Sequence, residues 1–131
     1  MIVLDTHAWL WWVSSPELLG QQATLAIEKA VKEKTVHVSS ISAWEVAMLV
    51  QKRRLQLTMD VRDWVLRSEA LPFLSFVPLD NALAVQATRL PGELHGDPAD
   101  RIIIATAQSL GAILVTKDEK IRNYPHVKTV W

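Results

Sequence analysis

Short apolar runs recur along this chain, and most of them stop at a polar residue. Ile2–Leu4, Val36–Val38, Phe76–Leu79 and Ala112–Val115 have strand character, and Lys128–Val130 supplies a fifth candidate near the C-terminus. Between them the apolar positions change to helical spacing. Ala43, Val46, Ala47 and Val50 share one helix face, as do Leu83, Ala87 and Leu90, and Ile103, Ala107 and Leu110. Ser15-Pro16 reads as a helix start and Gly111 as a helix stop. Strands separated by helices through short connections predict βαβ units and a parallel sheet covered on both faces. No repeat, low-complexity tract or linker interrupts the pattern, so residues 1–131 read as one α/β domain.

Five acids occupy the places where these apolar runs give way to loops or helix starts: Asp5, Glu45, Asp97, Asp100 and Asp118. In an open parallel sheet such places lie on one edge, at the carboxyl ends of the strands, where ligands bind. Carboxylates crowded there repel one another unless a cation joins them, which points to a divalent metal.

Each acid also has a plainer reading. Asp5 could cap the helix from Thr6, although a place at the end of a central strand favours function. Ser42-Ala43-Trp44-Glu45 matches a capping box, in which Glu45 folds back on the cap. Asp97-Pro98 reads as a cap followed by proline at the first helical position, which leaves Asp100 freer for metal. Arg101 could neutralise either acid or contact a phosphate. Asp118, taken alone, reads as a turn residue or cap; as the fourth acid on one edge it reads as part of a site.

Composition narrows the field. Lys+Arg and Asp+Glu balance at 14 each, so no overall basic excess holds nucleic acid non-specifically. Cysteine is absent, which removes disulfides, thiolate metal sites and a cysteine nucleophile. The longest apolar stretch, Ala8–Val13, is far short of the roughly 20 residues that a membrane span needs. The first residues lack the basic-then-apolar order of a signal peptide, so a cytoplasmic protein without a membrane partner is the expectation. His7, His37, His95 and His126 have no metal-ligand spacing and read as structural or surface residues. Trp9, Trp11 and Trp12 cannot all face one core from one helix, which suggests an exposed partner surface.

The segments Ile2-Val3-Leu4-Asp5-Thr6, Ser39-Ser40-Ile41-Ser42-Ala43-Trp44-Glu45, His95-Gly96-Asp97-Pro98-Ala99-Asp100-Arg101 and Leu114-Val115-Thr116-Lys117-Asp118 together resemble the PIN domain. Among PIN domains the chain looks most like the VapC-type toxins of bacterial toxin–antitoxin pairs. The resemblance runs over nearly the whole chain and keeps the family's order of elements. It implies a five-stranded parallel sheet in the order 3-2-1-4-5 and a metal-dependent endoribonuclease using Mg²⁺ or Mn²⁺. It further implies homodimers and a cognate antitoxin that occupies the active-site groove. The family's first, second and fourth acids match Asp5, Glu45 and Asp118. Asp100 fits the third best, with Asp97 as the alternative, and Thr6 matches a small hydroxyl residue beside the first acid. Asp5 and Asp100 would be direct metal ligands, Glu45 would orient or deprotonate the attacking water, and Asp118 would complete the cluster or hold a second metal.

Other classes fit less well. A receiver domain needs an acidic pair after its first strand, where only Asp5 stands, although Asp80 could serve as its phosphoacceptor and Lys117 as its lysine. A phosphotransferase of the haloacid-dehalogenase type needs a second Asp two residues after the first, where His7 stands. A catalytically silent binding protein of the same fold is the remaining alternative.

Overall fold

In the computed structural model, which describes Met1–Trp131, five strands form one all-parallel sheet. They are β1 (Ile2–Leu4), β2 (Val36–Ser39), β3 (Leu74–Val77), β4 (Ile113–Val115) and β5 (Thr129–Val130), in the order β3-β2-β1-β4-β5. Seven α-helices flank them: α1 (Thr6–Ser14), α2 (Gln21–Glu33), α3 (Ser40–Gln51), α4 (Val61–Glu69), α5 (Asn81–Thr88), α6 (Pro98–Leu110) and α7 (Glu119–Arg122). The order differs from the 2-1-3-4-5 arrangement of receiver domains. Asp80, the phosphoacceptor of that alternative, instead caps α5 by accepting from the Leu83 N–H at 2.9 Å.

Strand side chains alternate between the two faces, so β1 and β4 each feed two cores. Ile2 and Leu4 join Trp9, Ile27, Val36 and Val38 on one side. Val3 and Leu114 join Ile103, Ile104 and Ile121 on the other. This double burial explains why β1 and β4 read as apolar runs without alternation, whereas β2 alternates Val36 and Val38 with His37 and Ser39.

Two expectations about elements need correction. The third strand lies two residues before the Phe76–Leu79 run: Leu74 pairs with Val36 and Val77 with Ser39. Pro78 has no N–H with which to extend the ladder, and Leu79 is exposed. Ser15-Pro16 opens only a single 3₁₀ turn, Pro16–Leu18, before α2 begins at Gln21. The expected stop at Gly111 is present, in the left-handed conformation (φ 63°) that glycine adopts without strain.

The tryptophans of α1 do not form a spare outer surface. Trp9 is fully buried, its ring 4.6 Å from Trp64 and 5.4 Å from Phe76, and its indole N–H donates to Ser68 Oγ at 3.1 Å. Trp12 packs on Phe73 and Trp11 on Trp131, with centroids 5.8 and 5.7 Å apart. Gly20 makes room for that last residue, since a Cβ there would lie 2.7 Å from the Trp131 carbonyl carbon. No helix is long and apolar enough to cross a membrane.

Candidate active site

The strand order reverses at β1, whose neighbours are β2 and β4, so a crevice opens beside its carboxyl end. There Asp5 follows β1, Asp118 follows β4, and Glu45 lies one turn into α3, the helix that follows β2. Asp97 and Asp100 come from the start of α6. All five line one cavity of about 590 Å³, along with Thr6. The acids expected to meet therefore do meet, although 113 positions separate the first from the last in the numbering from Asp5 to Asp118.

Local hydrogen bonds hold each acid in place. The Asp5 N–H still belongs to the sheet, donating to Val115 O at 3.1 Å, while its Oδ1 accepts from the Ala8 N–H at 2.8 Å and caps α1. Asp97 Oδ1 accepts from the Asp100 N–H at 3.1 Å, and Pro98 follows at the first helical position. Asp118 Oδ1 accepts from the N–H groups of Lys120 and Ile121 at 2.8 and 3.2 Å. All three residues both cap a helix and line the cavity.

Glu45 differs from its expected arrangement. Helix α3 starts at Ser40 with Ser39 as its cap, so Ser42 lies inside the helix and no Ser42–Glu45 capping box forms. The Glu45 carboxylate instead accepts a hydrogen bond from the Thr6 hydroxyl. Ser42 Oγ lies 2.9 Å from the same Thr6 oxygen, and its hydroxyl is free to donate to it. Thr6 thus links the start of α1 to the acid on α3.

Arg101 does not enter the cavity chemistry. Its Nε donates to Ala87 O at 3.0 Å and a terminal nitrogen donates to Leu94 O at 3.4 Å, tying α6 to the end of α5 and the following loop. The cation facing the acids is Lys117, whose Nζ stands 5.7 Å from the Trp11 ring centroid in cation–π contact. His95 reads in the sequence as a structural or surface residue, yet its Nε2 lies 2.7 Å from Asp100 Oδ2. Spacing gave no sign of this pair, because the histidine sits in an irregular loop before α6.

Burial makes these carboxyls weak acids. Asp5, 9% exposed, is raised above the ordinary carboxylate value chiefly by desolvation, against hydrogen bonds from Thr116 and the Ala8 N–H; the charge of Asp100 adds to the rise. Glu45 is raised by the same desolvation, against the bond from Thr6, with Asp100 and Asp97 adding repulsion. Asp100 is also raised first by burial, then by Asp97 and Asp118, while His95 opposes the rise. Three acids that resist losing their protons, partly because of one another, suit a cation-binding site. The donors are all hard carboxylate oxygens, which fit Mg²⁺ or Mn²⁺ and not a soft metal. As they stand, no three of the acids are grouped closely enough to hold a metal ion together.

A family model of the PIN domain matches residues 2–127. The chain is similar to Ribonuclease VapC22 of Mycobacterium tuberculosis, at 37% identity over 132 residues that cover 99% of this chain and 98% of that protein. Its fold is similar to that of VapBC2 from Rickettsia felis bound to a promoter DNA fragment, with a TM-score of 0.71, 18% identity, and coverage of 99% of this chain and 98% of that one. It is also similar to a toxin–antitoxin complex from Klebsiella pneumoniae, with a TM-score of 0.66, 21% identity, and coverage of 100% and 97%. The sheet order, the shared acidic cavity and a family match over nearly the whole length agree: the chain belongs to the PIN-domain family.

Proposed function

We propose that this chain is a divalent-metal-dependent endoribonuclease and the toxin of a toxin–antitoxin pair. The observation that carries the proposal is the convergence of Asp5, Glu45, Asp97, Asp100 and Asp118 on one cavity. The ribonuclease name of a relative that aligns along 99% of the chain supplies the substrate class. Antitoxin binding is part of the same reading, supported by the toxin–antitoxin complex of similar fold, and a homodimer is included on the family resemblance alone.

Asp5 and Asp100 are the direct metal ligands in this reading, with Asp118 and Asp97 completing the acidic edge. A bound Mg²⁺ or Mn²⁺ would neutralise phosphate charge and acidify water. The chain's own groups do the remaining work. Glu45, held by Thr6, takes a proton from the attacking water on a carboxylate oxygen. The water oxygen bonds to phosphorus, the P–O3′ bond breaks, and the 3′ oxygen leaves with a proton from solvent. The products are a 5′-phosphate and a 3′-hydroxyl. Lys117, steadied over Trp11, is placed to meet a phosphate oxygen across the cavity.

Purified protein should cut single-stranded RNA in Mg²⁺ or Mn²⁺, stop in EDTA, and recover when metal is restored in excess. Cleavage that survives chelation would overturn the metal-dependent reading. No cleavage of any RNA would favour a silent binding protein.

A further inference from the structure

We propose that Trp44 forms a nucleobase-stacking subsite beside the acidic cavity, which seats one base of the RNA whose phosphodiester is cut. The inference rests on the ribonuclease reading of that cavity. Trp44 is 57% exposed, more than any other large hydrophobic side chain of the molecule. It immediately precedes Glu45 on α3 and faces a second cleft of about 430 Å³, lined by Ile41, Trp44, Glu45, Asp97, Pro98 and Ala99. Glu45 and Asp97 line both spaces, so a strand reacting at the acids runs directly into the cleft.

The lining selects the occupant. Two carboxylates border the cleft and no cation lines it, so a phosphate is repelled there. Ile41, Pro98 and the indole offer apolar surface to a flat, uncharged group. A nucleobase has that form, and any base can stack on an aromatic face. The chain also has no net charge with which to hold a phosphate backbone, so stacking would supply affinity that charge does not.

The test uses a labelled single-stranded RNA oligonucleotide that the protein cuts at one bond, and versions with an abasic ribose at each flanking position. Binding is read by fluorescence anisotropy in Ca²⁺, and cleavage in Mg²⁺ or Mn²⁺. Trp44→Ala and Trp44→Leu should each weaken binding and raise KM roughly tenfold, with the loss falling more on KM than on kcat. Trp44→Phe should restore most of it. One abasic position should reproduce the loss, and Trp44→Ala should add little to it. Equal binding and KM for wild type and Trp44→Ala would overturn the subsite while leaving the nuclease reading intact. So would Trp44→Leu behaving as wild type, or a change of oligomeric state in Trp44→Ala by light scattering, which would make this face an interface between copies. Trp44-dependent RNA binding without cleavage would keep the subsite and overturn the nuclease, and absence of RNA binding would overturn both.

Discussion

Nε2 of His95 stands 2.7 Å from Oδ2 of Asp100, within hydrogen-bond distance. The histidine's Nδ1 is buried without a partner, so Asp100 is its sole side-chain attachment. A carboxylate gripped through one oxygen has its orientation set before any cation arrives, as outer-shell partners do in metal sites. His95 is therefore a positioning residue for Asp100.

Removal of that grip should loosen metal more than fold. His95→Ala is expected to weaken Mn²⁺ binding by roughly 10- to 100-fold, measured by titration calorimetry. His95→Gln, which can still donate to the carboxylate, should recover part of the loss. Unchanged Mn²⁺ affinity in His95→Ala would make the pair purely structural.

Asp5→Asn should abolish cleavage by orders of magnitude while preserving the fold. The asparagine oxygen can still accept from the Ala8 N–H, and Asn caps helices about as well as Asp. Circular dichroism and a cleavage assay on the same sample check both halves. Near-normal activity would remove Asp5 from the chemistry.

The two acids at the start of α6 have separable signatures. Asp97→Asn should keep its cap, most of its Mn²⁺ affinity and substantial activity, whereas Asp97→Ala should cost about 1 kcal/mol of stability. Asp100→Asn should nearly eliminate catalysis and metal binding. The reverse pattern would make Asp97 the third-acid ligand.

Metal-free stability should depend on pH in a definite direction. Burial raises Asp5, Glu45 and Asp100 above their ordinary values of 3.8, 4.5 and 3.8. A carboxyl raised in the folded state holds its proton more tightly folded than unfolded. Its contribution favours folding at low pH and is lost as pH rises from the ordinary value through the raised one. In EDTA the Tm advantage of Asp100→Asn over wild type should thus grow across that window and level off above it. Saturating Mn²⁺ should reverse the order, because wild type gains ligand-binding stability. A Tm difference independent of pH would contradict the raised carboxyl.

Thr6→Val tests the proton acceptor. The Thr6 hydroxyl lowers the Glu45 proton affinity, so its loss should move the acidic limb of kcat/KM to higher pH. A limb that stays in place would mean that another group accepts the proton.

The sheet and its acidic edge were legible because β1 and β4 are apolar on both faces and each acid stands where a strand or helix start exposes it. The rest depends on contacts between residues distant in sequence. Phe76–Leu79 is apolar enough for a strand, but the ladder to β2 and the missing N–H of Pro78 set the strand's end. Ser42–Glu45 has the letters of a capping box, yet Ser39 caps the helix three residues earlier and frees Glu45 to meet Thr6. Trp9, Trp11 and Trp12 looked surplus to one helix because their partners Trp64, Trp131 and Phe73 come from three other segments. Arg101 and His95 exchanged roles: the arginine holds backbone carbonyls, and the histidine meets the acid.

Asp5, Asp97 and Asp118 each cap a helix through Oδ1 alone, so capping itself does not use Oδ2, although the Asp5 carboxyl also meets Thr116. An amide at any of the three would serve the helix equally well and leave the site deficient. The architecture therefore exerts no pressure to retain the chemistry. Descendants of such a chain can fall silent by single acid-to-amide exchanges and remain well folded, with only selection on cleavage itself to keep the acids in place.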